Sequence, residues 1–439
     1  MATRRFVVCF DGTWNTPDKG DHATNVVKLV RAVRSRDSDG TSQVVFYDKG
    51  VGSAGGSDTV IGGGFGRGLT ANVIDGYRFL ANNYAAGDEI YIFGFSRGAY
   101  TARSLAGLIG LVGLLMPVHL GSGLDAVMGL YRLHDVSREE KLARVAKLDL
   151  GPRHVARIRC IGVWDTVGAL GIPGDLGRTF LGGKYYFHDV ELGHCVDIAL
   201  HAVAVDEKRS AFSPTLWVSD DGRPAGAEQK VEQVWFAGAH SNVGGSYPDC
   251  TLSNVTFDWM VKRVTALTGL AIEGLPQDAV RPQSAAGRSI DSRTLLYKDA
   301  VAFPYQRVIN GCIPAGKGFG EWFRRRFPSY DRRNIPPDGL QTVNEALHVS
   351  LLDRWKLPSV LHDCRNAGDC TETLYRPVNL AAVIAAHHAG RTTPVVGWDG
   401  EVMAPAAVAA AGVWPVPEAP AGQRGIGKPA FARSFLPGG

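Results

Sequence analysis

The sequence predicts an α/β fold: a mostly parallel central sheet with helices on both faces and loop-rich insertions. Three observations carry this. Strand-like runs alternate with helix-like ones, as βαβ units require. The strand-like runs are almost continuously apolar, as strands buried on both faces are. And chemistry-bearing residues recur just after the strands, where the functional loops of such sheets lie.

The elements follow in chain order. Arg5 to Phe10 reads as a buried strand, and residues 25–33 place apolar side chains at 26, 27, 29, 30 and 33, a helical spacing. Ser42 to Tyr47 is strand-like, and the glycine-rich stretch from Lys49 to Gly68 reads as a loop. Residues 72–84 put Val73, Ile74, Tyr77, Leu80, Ala81 and Tyr84 on one helical face. Glu89 to Phe93 is a strand, and a helix is expected from Arg97 to Met116. Two further strands are expected over 155–164 and 231–238, with mixed loops and helices over 171–230. Residues 344–355 read as a helix. The expected organisation is a core over 1–270, a loop-rich and helical extension over 271–389 packed on it, and an Ala/Pro/Gly-rich tail over 390–439.

Composition sets the class. Across 439 residues, 45% hydrophobic and 21% charged describe an ordinary globular chain with ample core. A net charge of +4 is too small at this length to imply a nucleic-acid partner, and none is expected. Seven scattered cysteines form no C-x-x-C pair, so neither a disulfide framework nor a metal site is expected, nor any other cofactor. Cys364 and Cys370 are close enough in sequence to pair, though a short polar loop accounts for them equally well. The N-terminal apolar run is too short for a Sec signal; the expectation is cytoplasmic synthesis, with any export Sec-independent.

The pentapeptide Gly94-Phe95-Ser96-Arg97-Gly98 lies between a strand and a helix, the setting a G-x-S-x-G nucleophile elbow needs. Gly94 and Gly98 leave room for the tight turn. Ser96 then stands at a helix N-terminus, whose free N–H groups favour an oxyanion. A serine hydroxyl needs a histidine base, and the base needs a carboxylate to hold its tautomer. Asp165 and His240 follow Ser96 in the order Ser, Asp, His of α/β-hydrolases, each at a predicted strand end. His348 is the alternative base, and Asp206 and Asp249 are rival acids. For the oxyanion hole, the amide of Arg97 is one donor and the Gly12-Thr13 loop supplies the other, with Asp11 holding that loop. Gly50 to Gly55 matches G-x-G-x-x-G but lacks a following amphipathic helix, so it is no dinucleotide fingerprint.

Five motifs in order, FDGTWN, GFSRGAYTAR, VWDTVGA, DEKRSAFSPTLW and WFAGAHSNVGGSYP, resemble the type VI secretion lipase effector family over roughly residues 5–380. The resemblance implies an α/β-hydrolase domain with phospholipase A activity. It also implies Ser96 as nucleophile, Asp165 as acid and His240 as base. A secretion spike or immunity protein enters as a possible partner by the same route. One position departs from the pattern: the family commonly has Asp after the His-Ser pair, where this chain has Asn242. The substrate expected is a phospholipid or another carboxylic ester. Aromatics interleaved with arginines over 316–333 suit an anionic lipid surface, RNA or a solvated face. The apolar run over 171–186 suits a mobile lid or a packed loop. Two other functions stay open: a cytoplasmic small-ester hydrolase, and a catalytically silent binding module on the same shell.

Overall fold

Eight strands form one sheet: β1 (Arg4–Phe10), β2 (Ser42–Asp48), β3 (Glu89–Phe95), β4 (Ile158–Trp164), β5 (Val196–Ala204), β6 (Lys230–Phe236), β7 (Glu345–His348) and β8 (Val395–Val396). The computed structural model describes residues 3–12, 22–50, 64–133, 136–168, 192–209, 212–276, 279–292, 305–314, 334–336, 339–364 and 370–415. The spatial order is β8-β7-β6-β5-β4-β3-β1-β2, and every neighbouring pair is parallel. The order reverses between β1 and β3, so their carboxyl ends open a crevice where parallel sheets place their sites.

The apolar strands are buried on both faces, as their composition implies. Along β1, Phe6, Val8 and Phe10 join one cluster with Val73, Tyr77 and Leu80 of helix α2 (Gly64–Asn83) and with α3 (Arg97–Val112). Val7 and Cys9 face the other way, among Val26 and Leu29 of α1 (Asn25–Ala32). Two helices, α4 (Leu120–Tyr131) and α5 (Arg138–Val145), extend the first layer. The short α6 (His240–Gly244) follows β6, and α7 (Thr251–Thr268) covers the second face. A third cluster forms where β6 and β7 meet α8 (Val349–Lys356) and α9 (Val378–His388). A short α10 (Pro405–Ala410) follows β8.

Several sequence expectations change. β5 runs through a region read as mixed loops and helices, and it is a central strand. Residues 345–348 are strand, not the start of a helix, because they pair with β6, and the helix begins at Val349. The core does not stop at residue 270, since β7 and β8 are strands of the same sheet. Nor does the tail start at 390: the backbone of β8 pairs with β7, and residues 416–439 lie outside the described residues. Cys364 and Cys370 form a disulfide. Among the described residues, no helix is long and apolar enough to cross a membrane.

Candidate active site

The turn after β3 is as tight as its glycines imply. A Cβ on Gly98 would lie 2.2 Å from the Phe10 carbonyl oxygen of β1. One on Gly94 would lie 2.4 Å from the Gly98 carbonyl oxygen. Between them Ser96 takes φ 60°, a left-handed conformation that a non-glycine residue adopts at a cost. Its N–H donates to the Trp164 carbonyl (3.0 Å), which ties the elbow to β4. Ser96 thereby ends at the N-terminus of α3, 6% exposed.

Asp165 follows β4 and also has positive φ, at 40°. It is wholly buried, and its Oδ1 accepts the Ala204 N–H (2.9 Å). His240 opens α6 after β6, 4% exposed, between the rings of Phe95 (4.7 Å) and Phe212 (4.9 Å). The three side chains meet. His240 Nδ1 lies 2.6 Å from Asp165 Oδ2, and Nε2 lies 2.7 Å from Ser96 Oγ. An ionised Asp165 only accepts, so Nδ1 carries the proton and Nε2 is left to accept from the serine hydroxyl.

Two groups that the sequence reading did not single out complete this centre. Arg307 is fully buried and grips Asp165 with both arms of its fork, Nη1 to Oδ1 (2.5 Å) and Nη2 to Oδ2 (3.0 Å). It also donates to the Ala204 (2.7 Å) and Phe212 (2.6 Å) carbonyls. Glu207 accepts the backbone N–H of His240 (3.3 Å), and it is itself held by Arg209 and Ser292. Only a lone cation before the apolar pair Val308-Ile309 signalled Arg307 in the sequence. For Glu207 the charged run Asp206 to Arg209 stands out in the sequence, but it points to Asp206 as a rival acid rather than to Glu207.

The electrostatics follow. Burial pushes the Asp165 carboxyl up, but the Arg307 charge and the hydrogen bonds from His240 and Arg307 outweigh it, leaving Asp165 well below the usual carboxylate range. Burial pushes His240 below its ordinary value, and the hydrogen bond and charge of Asp165 offset this only in part. The resting imidazole is neutral near pH 7, the form that can accept a proton.

The remaining candidates fall elsewhere. His348 ends β7 and caps α8: the Ser350 amide (3.3 Å) and hydroxyl (2.8 Å) meet its Nδ1. Its ring stacks on Phe236 and meets Trp398 edge-on, and burial lowers its pKa to about 3. The role of alternative base therefore does not fit it. Asp206 accepts from the Gly238 N–H (2.7 Å) and the Tyr375 hydroxyl (2.9 Å), and Asp249 caps the start of α7 through Thr251. Asp11 holds its loop as expected, taking the Thr24 (2.8 Å) and Tyr47 (3.0 Å) hydroxyls. That same carboxylate takes the Gly12 N–H (2.6 Å), so Gly12 is committed to Asp11 and does not serve as the second oxyanion donor. Thr13 and the stretches 171–186 and 316–333 lie outside the described residues. Asn242 uses both ends of its amide on one loop: Nδ2 donates to the Arg288 carbonyl (3.2 Å), and Oδ1 accepts the Ile290 N–H (3.0 Å). An aspartate there would lose the donor half.

A parallel sheet with a serine elbow after its third strand defines an α/β-hydrolase fold. It belongs to the family of the type VI secretion phospholipase effector, Tle1-like catalytic domain, whose model matches residues 4–263. A similar sequence is the uncharacterized protein YEL023C of Saccharomyces cerevisiae, 27% identical over 234 residues, covering 48% of this chain and 32% of the yeast protein. Among solved structures, an uncharacterized Pseudomonas aeruginosa protein aligns at TM-score 0.39 and 18% identity, over 63% of this chain and 48% of its own. The Tle1 effector bound to the VgrG spike aligns at TM-score 0.31 and 18% identity, over 56% and 52%. An esterase of Thermogutta terrifontis aligns at TM-score 0.33 and 14% identity, over 63% and 85%. The chain thus spans about a third of its yeast relative and about half of the first two structures.

Proposed function

We propose that this chain cleaves carboxylic esters of phospholipids, as a phospholipase A, through an acyl-enzyme on Ser96. The observation that carries the reading is the unbroken chain of hydrogen bonds Ser96 Oγ–His240 Nε2–Nδ1–Asp165, buried at the sheet's carboxyl edge. In this reading His240 Nε2 takes the hydroxyl proton as Oγ attacks the ester carbonyl. Asp165 stabilises the imidazolium without becoming protonated. The Arg97 N–H, first in α3, donates to the developing oxyanion, and a second donor comes from the Thr13 region. The tetrahedral species collapses, and the lysophospholipid leaves with the proton His240 returns. Water then attacks the acyl-enzyme by the same path in reverse, freeing the fatty acid and Ser96.

Membership of a phospholipase effector family supports lipid over small esters. Membership of a type VI secretion effector family is what supports, in this proposal, a secretion spike as partner and a Sec-independent route out of the cell. Ser96→Ala decides the chemistry. Fatty-acid release from phosphatidylcholine vesicles should fall by about five to six orders of magnitude, with melting temperature nearly unchanged. Release at the original rate would remove Ser96 from the mechanism. A wild-type protein that hydrolyses short aryl esters but leaves vesicles intact would replace the lipid substrate with a small ester. Failure of a fluorophosphonate probe to label the folded protein would mean a silent shell.

A further inference from the structure

The family match ends at residue 263, yet the guanidinium that grips Asp165 comes from residue 307. Asp165 and Arg307 are both fully buried, so neither charge is solvated by bulk water. A buried carboxylate without a counter-charge takes up a proton, and a protonated Asp165 would no longer fix the His240 tautomer. Arg307 meets both carboxylate oxygens with one planar fork. It is itself held by the carbonyl of Ala204, the last residue of β5, and by the Phe212 carbonyl, whose ring packs on His240. The acid, its cation and the wall of the base are therefore one hydrogen-bonded unit.

We propose that Arg307 is a positioning residue of this active site: it clamps the Asp165 carboxylate in the orientation His240 needs and weakens proton binding by the Asp165–His240 pair. This rests on the Ser96–His240–Asp165 reading above. The active form of the pair carries one negative charge, and one more proton neutralises it. A fixed cation beside the pair opposes that proton wherever it resides, because the two sites titrate as one. Other charged and titratable groups surround the pair. Glu207, on the backbone of His240, favours the proton, and its partner Arg209 opposes it. Tyr247 lies near Glu207 and Arg209, and Tyr305 near Arg307. His201 of β5 accepts the Thr166 N–H (3.1 Å) and stays neutral, with burial lowering its pKa to about 3. Arg103 of α3 is near enough to lower the His201 pKa further and is bonded to the Thr215 carbonyl. Of the cations, Arg307 alone is seen bonded to the carboxylate of the pair among the described residues.

The test compares Arg307→Met and Arg307→Lys in the full chain, following kcat and KM for a soluble aryl ester against pH. Arg307→Met should move the acid limb of kcat/KM up by about one pH unit or more and lower the plateau about a hundredfold. Arg307→Lys keeps the charge and loses the fork. Its limb should stay within about half a unit of wild type, while kcat falls about tenfold at unchanged KM. A structural role alone would lower both variants without moving either limb, and that result overturns the proposal. If Arg307→Met does not fold, Arg307→Gln takes its place, keeping a hydrogen-bond donor without the charge: an unmoved acid limb there overturns the proposal. Ser96→Ala is run alongside. Activity surviving there sinks the underlying triad, whereas an unmoved Arg307→Met limb with Ser96→Ala dead sinks only the role of Arg307.

Discussion

His240 and His348 make a matched pair. Each stands where a parallel strand ends and a helix begins, after β6 and at the end of β7. Each is almost fully buried against aromatic rings, and each is pushed below the ordinary histidine pKa by burial. Only their hydrogen bonds differ. His240 has an acidic acceptor on one nitrogen and a serine hydroxyl on the other. His348 has its Nδ1 taken by the turn it caps. A strand end alone therefore does not distinguish the two histidines; the carboxylate and the hydroxyl on opposite nitrogens do.

The sharpest way to break this contrast is to replace each ring. His240→Asn should lower kcat/KM by about four orders of magnitude or more, with labelling by a fluorophosphonate lost in parallel. His348→Asn should stay within about threefold of wild type in ester hydrolysis. Because burial lowers the His240 pKa, the wild-type acid limb should lie below about 6.5, the ordinary histidine value, and His348→Asn should leave it in place. A joint collapse of both variants would erase the distinction.

Smaller effects sharpen it at the level of the scaffold. Gly98→Ala forces a methyl against the Phe10 carbonyl. It should cost about 2–3 kcal/mol in denaturant unfolding and depress labelling of Ser96. On the His348 side, the Trp235 indole donates to buried Glu345 (2.7 Å), joining β6 to β7. Trp235→Phe should cost about 1–2 kcal/mol, read as a lower urea midpoint, with kcat nearly unchanged. If Trp235→Phe silenced catalysis while sparing stability, the two regions would not be separable.

Sequence reasoning reached the parts whose signals are local. The elbow, the strand ends at Phe10, Trp164 and Phe236, and the residues Ser96, Asp165 and His240 are each marked by a short apolar run and a turn. It failed where distant partners decide. β5 contains Asp197, His201 and three alanines that interrupt its hydrophobic pattern, yet pairing on both sides makes it central. Its His201 is tolerated because Thr166 and Gln233 satisfy both nitrogens. Residues 345–348 belong to a segment with helical propensity, and the ladder to β6 overrides it. The bond from Arg307 to Asp165 spans 142 residues, so no local pattern announces it. Gly12 was misjudged because the Asp11 carboxylate that holds the loop also takes the adjacent Gly12 amide.

The long spacing has a consequence for the making of the protein. The serine and its histidine are 144 residues apart, and the acid and its arginine 142. Parallel sheets with such distant pairings fold slowly, and during synthesis the N-terminal part folds first. A nascent chain thus displays Ser96 long before residue 240 has emerged from the ribosome, and Asp165 has no counter-charge until residue 307 follows. On the proposed reading of a lipid hydrolase, the order in which the chain appears keeps the site incomplete through most of translation.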